Sequence, residues 1–108
     1  MNSENVDISG KDFWFKIVDF LQQNWALIEK DAGSETCIIY FIHDGSGVFD
    51  QIKYATIEEA ERALRRNGFE QYDKDAKAQG FIFPPGSPYF KDRHPSGNIY
   101  SSGRFGRK

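Results

Sequence analysis

The side chains that could carry chemistry are few and spread thinly. His43 and Asp44 stand side by side, and Asp50 follows six residues later. A turn between them would bring an imidazole and two carboxylates together as an acid/base pair or a weak metal site. A metal site usually needs three or more ligands at workable geometry. Asp44-Gly45-Ser46-Gly47 accounts for the same residues as turn formers with surface charge, and that plainer reading is preferred. Cys37 is the only cysteine. It would act as a nucleophile only beside a base in an electropositive setting. Inside an apolar run it reads instead as a core residue.

The remaining candidates lie toward the C-terminus. His94, between Arg93 and Pro95, opens the turn-like His94-Pro95-Ser96-Gly97-Asn98 and could bind an anion or a partner; the alternative is a surface histidine. Ser101-Ser102-Gly103-Arg104 holds the ingredients of a phosphate site but matches no P-loop or dinucleotide fingerprint. Basic and aromatic residues alternate through Tyr89, Phe90, Lys91, Arg93, Tyr100, Arg104, Phe105, Arg107 and Lys108. Such alternation can stack bases and track phosphates of single-stranded nucleic acid. Against it, residues 91–108 carry a net +4 while residues 1–90 carry −6, and the overall pI is about 5.6. The body of the chain would repel a polyanion. No catalytic set, metal site or cofactor is expected from these residues.

The elements that must position these groups centre on residues 35–69. Cys37-Ile38-Ile39-Tyr40-Phe41-Ile42 is a continuous β-branched and aromatic run, the mark of a central strand covered on both faces. Asp44-Gly45 signals a hairpin. Val48 to Ala55 reads as the return strand, with Val48, Ile52 and Tyr54 on one face. Phe49 and Asp50 then fall on the wrong faces. Thr56-Ile57-Glu58-Glu59 is a capping-box pattern that starts a helix, and Asn67-Gly68 stops it.

Upstream, Ser9 reads as a helix cap. The spacing of Phe13, Ile17, Phe20 and Leu21 predicts an amphipathic helix widened by Trp14 and Val18. Trp14 and Trp25 on such a face are read as core rather than as an exposed partner site. The segment from Trp25 to Lys30 fits either the end of this helix or a strand; the strand is preferred, because it gives the central run a neighbour on each edge. Downstream, Glu70 to Tyr72 reads as a short strand and Asp73 to Gln79 as one or two helical turns. All four prolines lie beyond Gly80, among Phe81, Ile82, Phe83, Tyr89, Phe90, Ile99 and Tyr100. This predicts an irregular but ordered wrap rather than a disordered tail, which would be poor in aromatics.

The expected fold is therefore α+β: an N-terminal helix, a small antiparallel three- to four-stranded meander, a second helix and an irregular C-terminal segment. At 108 residues the chain is one domain, with residues 1–8 frayed and 81–108 irregular. Seventeen aromatics, ten of them Phe, can stabilise so small a core. A lone cysteine, with no signal-peptide pattern and no apolar span, points to the cytoplasm. The function expected is a non-catalytic interaction or accessory module. Its contact residues would be Phe83, Tyr89, Phe90, Arg93, His94, Tyr100 and Arg104. A protein partner is favoured over nucleic acid, and a small-ligand binder is the further alternative.

Overall fold

The aromatic stretch expected to open a helix is a strand. The computed structural model describes residues 5–6, 8, 10, 12–19, 22–31, 33–80, 82–86 and 88–92. Its strands are β1 Asn5–Val6, β2 Trp14–Asp19, β3 Gln22–Lys30, β4 Cys37–His43, β5 Gly47–Tyr54, β6 Glu70–Gln71 and β7 Tyr89–Lys91. Helix α1 spans Ile57–Arg66, and the single turn α2 spans Ala76–Gln79 after a 3-10 turn at Tyr72–Lys74. The strands form one sheet in the order β1-β7-β5-β4-β3-β2-β6. Every neighbouring pair is antiparallel except β5 and β7, which run parallel.

This corrects the expected architecture. The fold is mostly sheet, mixed rather than antiparallel, and wider than a three- to four-stranded meander. The N-terminal helix is absent among the described residues. The physical reason lies in β2: Trp14 and Phe15 are adjacent in sequence, yet both are buried, each in a different core. Only an alternation of period two can do that. Ile17, which the helical spacing would have buried, is 57% exposed. Where neighbouring residues are covered on opposite faces, as Trp14 and Phe15 are, the apolar–polar alternation is lost, and so short a run is compatible with a broad helical stripe. The segment from Trp25 to Lys30 belongs to β3, paired along its length with β4 from Asn24↔His43 to Lys30↔Cys37.

The sheet has a core on each face. On the first, Trp14, Ala26, Cys37, Ile39 and Phe41 meet Ala60 and Leu64 of α1 and the adjoining Phe69. Ala26 and Ala60 are completely buried where the helix meets the strands. On the second, Phe15, Trp25, Leu27, Ile42 and Val48 meet Ala78, Ile82 and Tyr89. An extended strap at residues 82–86, with α2 and the 3-10 turn, supplies the cover there.

A bulge explains the misplaced residues of β5. Phe41 pairs with Asp50 but Ile42 pairs with Val48, so Phe49 is an extra residue in its strand. The insertion flips the face on which later residues fall. Val48 therefore joins the second core, whereas Ile52 and Tyr54 pack against the first, as does Phe49 through Phe41 at 6.3 Å between ring centroids. The expectation that Val48, Ile52 and Tyr54 share a face is corrected accordingly.

Helix α1 is closed at both ends by its own sequence. The Glu59 backbone N–H donates to Thr56 Oγ1 at 3.1 Å. At the other end the Phe69 N–H donates to the Leu64 carbonyl at 2.9 Å and the Gly68 N–H to the Arg65 carbonyl at 3.1 Å. Gly68 adopts φ +89°, the left-handed geometry this closure requires. Phe69 is thereby folded back onto Leu64 in the first core. Among the described residues no helix is long and apolar enough to cross a membrane.

Candidate interaction site

The hairpin turn between β4 and β5 is a structural junction rather than an acid/base centre. The Gly45 N–H donates to His43 Nδ1 at 2.9 Å, which leaves the ring proton on Nε2. That nitrogen donates to Asp92 Oδ2 at 3.0 Å, just past β7. Asp44 turns the other way: its two carboxylate oxygens accept from the Gln23 N–H at 3.0 Å and from the Trp25 indole Nε1 at 2.8 Å. Asp50 lies opposite Phe41 in the sheet, and its Oδ1 accepts from the Gln51 N–H at 2.9 Å. His43, Asp44 and Asp50 thus serve three different sets of partners. Among the described residues no three His, Cys, Asp or Glu side chains converge to hold a metal ion.

Cys37 is fully buried in the first core. Burial pushes its thiol up from the ordinary value of 9.0, and the nearby carboxylates of Asp31, Glu59 and Glu58 push it further. The setting opposes a thiolate, so the group has neither the charge state nor the access a nucleophile needs. Trp14 and Trp25 are both core residues, on opposite faces.

Of the residues expected to contact a partner, Arg93, His94, Tyr100 and Arg104 lie outside the described residues, as does the Ser101–Arg104 stretch. The other three have distinct fates. Tyr89 is buried in the second core, and its hydroxyl donates to the Pro85 carbonyl at 3.2 Å. Phe90 is half-buried, with its ring 6.5 Å from the His43 imidazole. Phe83 is 75% exposed.

The backbone around Phe83 is pinned on both sides. Before it, the Ile82 N–H donates to the Ala78 carbonyl at 2.9 Å, and the Tyr72 hydroxyl donates to the Ile82 carbonyl at 2.7 Å. After it, Pro85 is buried, and Ser46 Oγ donates to the Gly86 carbonyl at 2.6 Å. The Phe90 and Asp92 amides donate to the carbonyls of Ser46 and Val48 at 3.2 and 3.0 Å. The strap is therefore tied to the turn, and Phe83 projects from it.

Beside Phe83, on the second face of the sheet, runs an open groove of about 550 Å³. Phe13, Tyr72, Pro84, Pro85 and Tyr89 line it, and so do Asp12 and Asp73. The position of Phe13 next to Tyr72 follows from the backbone, since the Tyr72 N–H donates to the Phe13 carbonyl at 2.9 Å. Sequence reasoning missed Phe13, Tyr72 and the two carboxylates. They come from segments about 60 residues apart, and nothing in either one signals the other. No known family, curated protein or solved structure matches the chain, so the functional reading rests on this geometry.

Proposed function

We propose that this chain is a non-catalytic protein-interaction module whose contact surface is the strap at residues 82–86 together with the groove beside it. The observation that carries the reading is Phe83, a large aromatic held in water by a backbone anchored on either side. A single exposed apolar residue is ordinary on a protein surface. Here the neighbours Ile82 and Pro85 are buried and the strap is hydrogen-bonded before and after Phe83, so the ring has little freedom to fold inward. Covering it with a partner would contribute roughly 2 kcal/mol, with little ordering cost because the strap is already set. The lone, buried Cys37 thiol fits a reducing compartment, and the same proposal places the protein in the cytoplasm.

The test is Phe83→Ala, compared with the wild-type chain at equal folded fraction in quantitative affinity capture. The substitution should leave the unfolding free energy from urea denaturation within about 0.5 kcal/mol of wild type, as for other exposed positions, while specific partners fall at least fivefold. An identical partner set at identical levels would overturn the reading. Truncating the strap is not a usable test, because Tyr89 and Ile82 belong to the core.

A further inference from the structure

The groove beside the strap is aromatic and acidic, and no cation stands among the described residues that line it. Phe13, Tyr72, Pro84, Pro85 and Tyr89 line it, and the charged side chains among its described lining residues are Asp12 and Asp73. Both aspartates are exposed. Neither side chain has a hydrogen-bond or ion-pair partner among the described residues. By contrast, the polar groups of the walls are already used: the Tyr72 hydroxyl donates to the Ile82 carbonyl, the Tyr89 hydroxyl donates to the Pro85 carbonyl, and Gln79 Nε2 donates to the Tyr72 carbonyl at 2.9 Å. What its described lining offers a ligand is aromatic and proline side chains together with two carboxylates. That combination favours a cation with an apolar, planar surface. A guanidinium stacks on aromatic faces and pairs with carboxylates through its edge, whereas an ammonium is a compact, strongly hydrated point charge. Aromatic-lined grooves bind extended, polyproline-like segments because those are already ordered.

We infer that this groove binds an extended, arginine-bearing segment of a partner protein, with the guanidinium between Asp12 and Asp73 and the flanking residues on Phe13, Tyr72 and Pro84. This rests on the interaction reading above and supplies the partner's chemistry. It also agrees with the net charge of −6 over residues 1–90, which would draw a basic segment toward the chain.

The experiment is a 15N NMR titration of the full chain with the capped peptide acetyl-Pro-Pro-Arg-Pro-Pro-amide, and with a version in which glutamine replaces the arginine. The arginine peptide should shift the amides of Phe13, Tyr72, Asp73 and Gly86 at submillimolar concentration. The glutamine peptide should bind at least fivefold more weakly, and so should the arginine peptide when tested on Asp12→Asn/Asp73→Asn. Raising salt from 50 to 500 mM should weaken the interaction further. No localised shifts at millimolar peptide, or equal binding by the two peptides or the two proteins, would overturn the inference. Tighter binding by a peptide copying residues 101–108 of this chain would also overturn it, since the occupant would then be the chain's own basic tail. Phe83→Ala separates the two readings. If it abolishes partner capture while Asp12→Asn/Asp73→Asn leaves capture intact, the interaction reading stands and the arginine groove falls.

Discussion

His43 and Asp92, 49 residues apart in sequence, share a hydrogen bond of 3.0 Å between Nε2 and Oδ2. It ties the end of β4 to the residue just past β7, across the only parallel pairing among the described strands. The Gly45 N–H on Nδ1 sets the tautomer that makes the bond. The imidazole is largely buried, whereas the Asp92 side chain is 47% exposed, so the two ends should respond unequally to removal. His43→Ala should cost about 2–3 kcal/mol of unfolding free energy, from a cavity plus an orphaned Gly45 N–H. Asp92→Ala should cost about 1 kcal/mol. Urea denaturation of the single and double variants would check this. Strictly additive effects would mean that the pair does not couple β7 to the turn.

Gly47 sits under this pair. A β-carbon there would stand 2.7 Å from the Asp92 Cβ and would overlap the His43 ring. Gly47→Ala should therefore cost about 2 kcal/mol or more, by forcing the imidazole and β7 apart. Placing the same substitution in a His43→Ala background, which removes the ring it would overlap, should cost less. An equal cost in both backgrounds, read from urea midpoints, would show that the strain lies elsewhere.

The Asp44 carboxylate holds two donors of β3, the Gln23 amide and the Trp25 indole. Trp25 is completely buried, so its N–H has no ready substitute partner. Asp44→Ala should destabilise by about 2 kcal/mol. Asp44→Asn, which keeps one carbonyl acceptor, should lose less. Thermal unfolding followed by tryptophan fluorescence separates the two variants, and equal melting temperatures for both and for wild type would contradict the assignment.

Alkaline stability should reflect Cys37. Burial first, and then the nearby carboxylates, raise its folded pKa above the ordinary value of 9.0. The unfolded thiol therefore loses its proton at lower pH than the folded one. Stability is fully retained below about pH 9 and falls as pH rises from the unfolded value toward the folded one. Tyr40 and Tyr89, raised chiefly by burial from 10.0, act in the same direction about one unit higher. Cys37→Ala should remove the first part of the decline. A urea midpoint that is flat between pH 8 and 11 would contradict this, as would rapid labelling of Cys37 by a thiol reagent in the native protein.

The local elements of the middle of the chain were legible in its sequence because each is dictated by near neighbours. Thr56 and Glu59 are three residues apart, Gly68 needs only its own backbone freedom, and the Asp44-Gly45 turn follows two residues after the apolar run. The identity of β2 was not legible. A strand whose adjacent residues are buried on opposite faces loses there the alternation that distinguishes it from a helix, and only the separate burial of Trp14 and Phe15 in two cores resolves the ambiguity. The bulge at Phe49 was visible only as two residues on unsuitable faces. Pairing with β4 converts that conflict into a register shift.

By itself, then, the sequence determined the central hairpin and the capped helix. Tertiary structure alone decided the partners of each titratable side chain and which aromatics face water. His43 meets Asp92 rather than Asp50, Tyr89 fills a core while Phe83 is exposed, and Phe13 joins Tyr72 across a groove. These are contacts between segments far apart in the chain. Sheet order and the packing of a strap against one face set them, and no local spacing encodes either.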